Sequence, residues 1–166
     1  MPLPVCAVLD NIRSVYNVGS IFRTADAAGV ERLLLCGITA APQPLLSKAS
    51  LALRKTALGA DERVAWEQSR NGVAALARLR LAGYRVAAIE TGEGAVDLFD
   101  WQPEFPLAVV FGNEVEGVSP AMLEMCDVRV SLPMHGIKRS LNVATAAGVV
   151  FYEMLRRRRL VVQSPV

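Results

Sequence analysis

Three short segments hold the residue types that do chemistry. The first, residues 11–26, carries the amides of Asn11 and Asn17, then Gly19 and Arg23. The second, residues 111–119, sets Glu114 and Glu116 between Gly112 and Gly117, after Asn113. The third, residues 132–142, contains Leu132, Pro133, Met134, the single histidine His135, Lys138, Arg139, Ser140, Leu141 and Asn142. Amides, carboxylates and a guanidinium hold hydroxyls and phosphates, and glycines let a ligand come close to the backbone. The second and third segments flank an apolar stretch, so together they could hold a small ligand mostly by backbone groups. Each segment alone also has an ordinary reading. Asn11 and Asn17 suit turns, Arg23 could pair with Asp26 three residues on, the two glutamates could be solvated, and Ser140 or Asn142 would cap the helix that follows.

The elements that must position these residues alternate. Apolar runs at 5–9, 33–36, 84–89, 107–111 and 128–132 read as strands, and 107–111 is apolar throughout, as in a strand buried on both faces. Residues 20–28 read as a helix stopped by Gly29, and 68–82 as a helix with Val73, Leu76 and Leu79 on one side. Val143, Ala146, Ala147, Val150, Phe151, Met154 and Leu155 form one apolar stripe, the firmest helix in the chain. Ser119 and Pro120 open a short helix, 91–106 is a connection, and 39–50, with Pro42 and Pro44, is a loop or short helix. Residues 50–59 carry no clear period. Alternation of this kind predicts an α/β fold with a parallel sheet and helices on both faces, and the loops beyond the carboxyl ends of its strands are where ligands bind.

A chain of 166 residues is long enough for one full core and too short to expect two, so residues 1–166 read as a single domain. A hydrophobic fraction of 52% and a mean hydropathy of +0.32 are high enough to predict apolar surface covered by a second copy. No apolar run reaches membrane-spanning length and no secretory leader opens the sequence, which predicts a cytoplasmic protein with no membrane partner. Cys6, Cys36 and Cys126 lack metal-ligand spacing and sit among aliphatic residues, as small core hydrophobes do, so no metal is expected. A net charge of +2 permits nucleic-acid binding without demanding it. The candidate phosphate contacts are Lys48, Arg54 and Lys55, then Lys138 and Arg139, then the run Arg156 to Arg159, which equally suits the end of a helix.

Taken together, residues 17–25, 112–117, and Pro133–Met134 with 140–144 resemble, in order and spacing, the three motifs of the SpoU/TrmH family of RNA ribose 2′-O-methyltransferases within the SPOUT group. Residues 55–60 are similar to a further segment of that family. The resemblance implies a C-terminal trefoil knot that forms the pocket for S-adenosyl-L-methionine, the methyl donor, and a homodimer with active sites near its interface. It implies that Gly112, Asn113, Leu132, Met134, Ser140 and Leu141 hold the cofactor. Arg23, Asn17, Glu114, Ser140 and Asn142 would surround the reacting ribose. Arg23 is the foremost catalytic candidate, as proton acceptor or as phosphate clamp, because a guanidinium is by itself a poor base. His135 reads better as a surface group. The expected substrate is RNA, tRNA ahead of rRNA, with DNA not expected and no separate RNA-binding domain. Base methylation and a catalytically silent RNA-binding or assembly factor of the same fold are the alternatives.

Overall fold

The computed structural model describes residues 2–43 and 46–163, with the backbone alone for Gln163; Pro44 lies outside them. Seven strands, β1 (Leu3–Asp10), β2 (Val30–Cys36), β3 (Ala65–Ser69), β4 (Arg85–Ile89), β5 (Val96–Asp97), β6 (Leu107–Phe111) and β7 (Val128–Ser131), form one sheet in the order β3-β2-β1-β6-β4-β7-β5. Every pairing is parallel. The helices are α1 (Val15–Ala28), α2 (Lys48–Ala57), α3 (Gly72–Leu81), α4 (Pro120–Leu123) and α5 (Val143–Gln163).

The alternation of side chains along β1 sorts the core into two layers. Val5, Ala7 and Leu9 face Val18, Ile21 and Phe22 of α1, Leu53 of α2, and Val150, Phe151 and Met154 of α5. Cys6 and Val8 face the other way, onto Leu76 and Leu79 of α3 and Met122 of α4. Helices therefore cover both faces, as the alternating pattern predicts. Phe111, at the end of central β6, meets Phe151 edge to face at 5.7 Å and 89°. Cys6 and Cys36 are buried, and desolvation pushes each thiol up to about 12, which leaves them inert as nucleophiles.

Three elements differ from the sequence expectation. Helix α1 begins at Val15 rather than at 20, so Asn17 and Gly19 lie in its first turns and not in a loop. Ser14 starts it, its side chain accepting the Asn17 N–H at 3.3 Å. Gly19 sits inside this helix because α2 crosses there: a Cβ would stand 2.1 Å from Thr56 Oγ1 and 2.2 Å from Leu53 O. The second difference is β3, which takes Gln68 and Ser69 from the expected middle helix, so that α3 starts at Gly72 behind the Asn71 N-cap. As an edge strand with Trp66 as its one large apolar residue, β3 shows no alternation to read. The third is two-residue β5, inside the expected connection 91–106.

Candidate functional site

The ends of β1, β4, β6 and β7 meet in a cluster of loops tied together by carboxylates and amides. The chain leaves β6 at Gly112, where a Cβ would lie 2.1 Å from both Gly117 C and Val118 N, so only glycine fits. Asn113 and Gly117 exchange backbone hydrogen bonds at 2.9 Å in each direction, closing the loop. Asn113 Oδ1 accepts the N–H groups of Val115 and Glu116 (2.9 and 3.1 Å), and its Nδ2 donates to Asn11 O at 2.8 Å. Two residues that the sequence did not single out hold the far side. Glu90, just after β4, accepts the Val118 N–H at 2.9 Å, and buried Asp10, ending β1, accepts the Ser119 N–H at 2.8 Å.

Glu114 connects this loop to the start of α1. Its carboxylate accepts the Arg13 N–H (2.9 Å), the Ser14 N–H (3.0 Å) and the Asn17 side-chain amide (3.0 Å). A carboxylate at the positive end of a helix is favoured by the dipole and satisfies otherwise orphaned N–H groups. Partial burial would raise the Glu114 pKa, but the hydrogen bonds from Arg13, Ser14 and Asn17 outweigh it and hold the group below its ordinary value. Asn17 Oδ1 in turn accepts from Asn142 Nδ2 at 3.1 Å, and Asn142 Oδ1 accepts the N–H groups of Ala144 and Thr145 (2.9 and 3.3 Å) at the start of α5. Asn142, not Ser140, is therefore the helix cap. The chain Glu114–Asn17–Asn142 joins the three segments across 97 and 125 residues of sequence.

Beside this chain a cleft of about 580 Å³ opens beyond the carboxyl ends of β4, β6 and β7. Gly112, Asn113, Leu132, Met134, Ser140 and Leu141 all line it, with Glu114, Asn142, Ile89, Glu90 and Arg139. The residues expected to hold a cofactor thus share one cavity, and its walls mix aliphatic side chains with loop backbone. Arg23 is not among them. It stands exposed on α1, six residues and about 9 Å of helix rise beyond Asn17, in a separate cleft of about 570 Å³ with Ser20, Thr24, Lys55, Thr56 and Tyr152. It makes no ion pair with Asp26, so the ordinary reading of that spacing fails.

The basic clusters divide. Arg156 and Arg157 both bond the buried carboxylate of Glu153, Arg157 also reaches Phe99 O, and Arg158 lies 5.7 Å from the centre of the Phe105 ring. These contacts tie Arg156, Arg157 and Arg158 of the C-terminal run to the protein itself. Arg54 pairs with Asp61 and Glu62 (3.2 and 3.1 Å), whereas Lys55 stands open beside Arg23. His135 and Lys138 are exposed.

A parallel sheet with helices on both faces, and a cleft beyond its carboxyl edge lined by short loops, defines a ligand-binding α/β domain. The chain belongs to the SpoU rRNA Methylase family, whose family model matches residues 4–152. It is 34% identical over 155 residues to the 23S rRNA (guanosine-2′-O-)-methyltransferase RlmB of Pseudomonas syringae, covering 93% of this chain and 59% of that protein. Among solved structures it is similar to the SpoU methyltransferase AviRb of Streptomyces viridochromogenes in complex with AdoMet (TM-score 0.79, 30% identity, 93% of this chain and 60% of that one). It is also similar to a structure described as giving insights into the 2-OH methylation of C/U34 on tRNA (TM-score 0.78, 28% identity, 93% and 96%). The chain spans about three fifths of the length of the curated relatives it matches.

Proposed function

We propose that this chain is an S-adenosylmethionine-dependent RNA methyltransferase that methylates a ribose 2′-hydroxyl, with tRNA as substrate. One observation carries the reading: Asn17, Glu114 and Asn142, drawn from the three motif segments, form a continuous hydrogen-bonded chain beside a cleft lined by all six expected cofactor residues. The AdoMet complex of AviRb supports the choice of cofactor, and the tRNA-related structure, matched over 96% of its length, supports the choice of RNA.

The cleft fits the cofactor on its own terms. Gly112 admits no Cβ because the Gly117–Val118 backbone packs against it, which fixes the loop that lines the cleft, and Leu132, Met134 and Leu141 offer apolar contact for an adenosine. When bound, S-adenosylmethionine supplies an electrophilic methyl group on a sulfonium. The residues of the chain do the positioning. Glu114 fixes the first turn of α1 and Asn17, Asn142 fixes the start of α5, and Ser140 stands exposed on the cleft wall to meet the ribose. Holding a hydroxyl in line with the methyl group supplies much of the rate gain in such a transfer.

Arg23 acts on the phosphate or on the leaving proton from the neighbouring cleft. A homodimer with its active sites near the interface accommodates this placement, since exposed Tyr152 shares the Arg23 cleft and exposed Val161 and Val162 continue along α5. The C-terminal trefoil knot and a cytoplasmic location belong to the same reading.

Incubating the purified protein with isotopically labelled S-adenosylmethionine and bulk tRNA or ribosomal RNA, then digesting the RNA to nucleosides for mass spectrometry, tests the proposal. The expected product is a 2′-O-methylnucleoside in tRNA. A methyl group on a base overturns the ribose assignment, and product only in ribosomal RNA overturns the tRNA assignment. Cofactor binding without transfer to either RNA would make the chain a silent RNA-binding or assembly factor. In the same assay Arg23→Lys separates charge from geometry, with a loss of about tenfold or more expected if the guanidinium fork is required.

A further inference from the structure

Several cations where strands begin and helices end are paired: Arg80 with Asp127 (2.7 Å), Arg85 with Glu104 (3.2 Å), and Arg156 and Arg157 with Glu153 (2.7 Å each), while Lys55, Arg63 and Arg159 are exposed there with no ion pair among the described residues. At the carboxyl edge, Arg13 follows β1, Arg70 follows β3, and Lys138 and Arg139 follow β7, and all four are exposed. Among the described residues none of them has an ion-pair partner. The carboxylates of that edge are turned onto protein groups instead: Asp10 onto Asn11 and Ser119, Glu90 onto Thr91 and Val118, Glu114 onto Arg13, Ser14 and Asn17. Glu93 and Glu116 are the exposed acids left beside the cofactor cleft.

Arg70 also lines a groove of its own, about 330 Å³, with Asp10, Asn11, Gly37, Asn71 and Ser119. The loop after β1 lines this groove and is bonded to the loop that lines the cofactor cleft, through Asn113 to Asn11 O and Ser119 N–H to Asp10 (2.8 Å each). The β1 loop is held firmly: Asn11 adopts φ 56°, its Oδ1 accepts the Ile38 N–H at 3.1 Å, and a Cβ on Gly37 would stand 2.0 Å from that oxygen. A paired arginine must give up its carboxylate to take a phosphate, and an unpaired one need not. Arginine also offers a planar fork that matches two phosphate oxygens.

We infer that the groove beside the β1 loop, with Arg70 as its main contact and Arg13 next to it, receives phosphodiesters of the RNA strand flanking the methylated ribose. The inference rests on the methyltransferase reading and adds where the rest of the RNA lies, across the β1 and β3 loops.

The test compares Arg70→Ala, Arg13→Ala and, at the opposite edge, Arg85→Ala with the unaltered protein. Binding of bulk tRNA is followed by fluorescence anisotropy between about 50 and about 200 mM salt, and S-adenosylmethionine binding by calorimetry. Arg70→Ala should weaken RNA binding about tenfold and lower the slope of log affinity against log salt by about 0.7 to 0.9, as loss of one phosphate contact does. Arg13→Ala should act in the same direction. KM for RNA should rise with kcat kept, cofactor binding should be unchanged, and Arg85→Ala should match the unaltered protein. RNA affinity and salt slope unchanged in Arg70→Ala overturn the inference, as does an equal loss in Arg85→Ala. Cofactor uptake by a protein that binds no RNA overturns it as well, while absence of cofactor uptake would strike the methyltransferase reading instead.

Discussion

Glu114 is expected beside the reacting ribose, and its two oxygens are occupied by three donors at 2.9 to 3.0 Å while its pKa is lowered. It is a positioning residue. Loss of a general base costs about 10² to 10⁴ in rate, so Glu114→Gln, which keeps an acceptor for Asn17, should reduce kcat by less than about tenfold. The same substitution should cost roughly 0.5–1 kcal/mol of stability at neutral pH through the helix-dipole interaction. Because the folded pKa lies below the ordinary 4.5, that contribution is complete above pH 4.5 and disappears as pH falls through the lower folded value. Thermal midpoints of the two proteins measured down this range should therefore converge. Asn17, Glu114 and Asn142 stood out in the sequence because each lies in a short segment that resembles a family motif. Asp10 and Glu90 were not, because each accepts a backbone N–H from 109 and 28 residues away, and no local pattern marks such a use.

At the scale of elements, the close crossing of α1 and α2 gives the sharpest test. Alanine is the better helix former by about 1 kcal/mol, so propensity alone predicts that Gly19→Ala stabilises α1. The Cβ would stand 2.1 Å from Thr56 Oγ1 and 2.2 Å from a backbone oxygen, which cannot give way cheaply. Overpacking should win, with a net loss of about 1–3 kcal/mol and a thermal midpoint lower by several degrees. At the other end of the network, Asn142→Ala removes the α5 cap and the bond to Asn17, for an expected loss of about 1 kcal/mol in denaturant unfolding. Helix α5 and strand β6 were readable because their apolar patterns are continuous. Helix α2 was not, since of its ten residues only Ser50, Leu53 and Ala57 are buried. Its place is set by packing on α1, which no period within residues 50–59 expresses.

For the whole molecule, parallel strands and two helical layers follow from the alternation of elements, but the strand order does not. The neighbours β1 and β6 lie about a hundred residues apart in sequence, and only the assembled core selects that pairing. Phe151 packs in this core against Phe111 and is completely buried, so Phe151→Ala should cost about 3–5 kcal/mol and compromise cofactor uptake together with stability. The carboxylate over the start of α1 also has a bearing on synthesis. Residues 13 and 14 leave the ribosome about a hundred positions ahead of the side chain that caps them. During translation the start of α1 has only its Ser14 cap until Glu114 is made, and the Asn17 side chain gains both of its partners, Glu114 and Asn142, only after the third segment has followed.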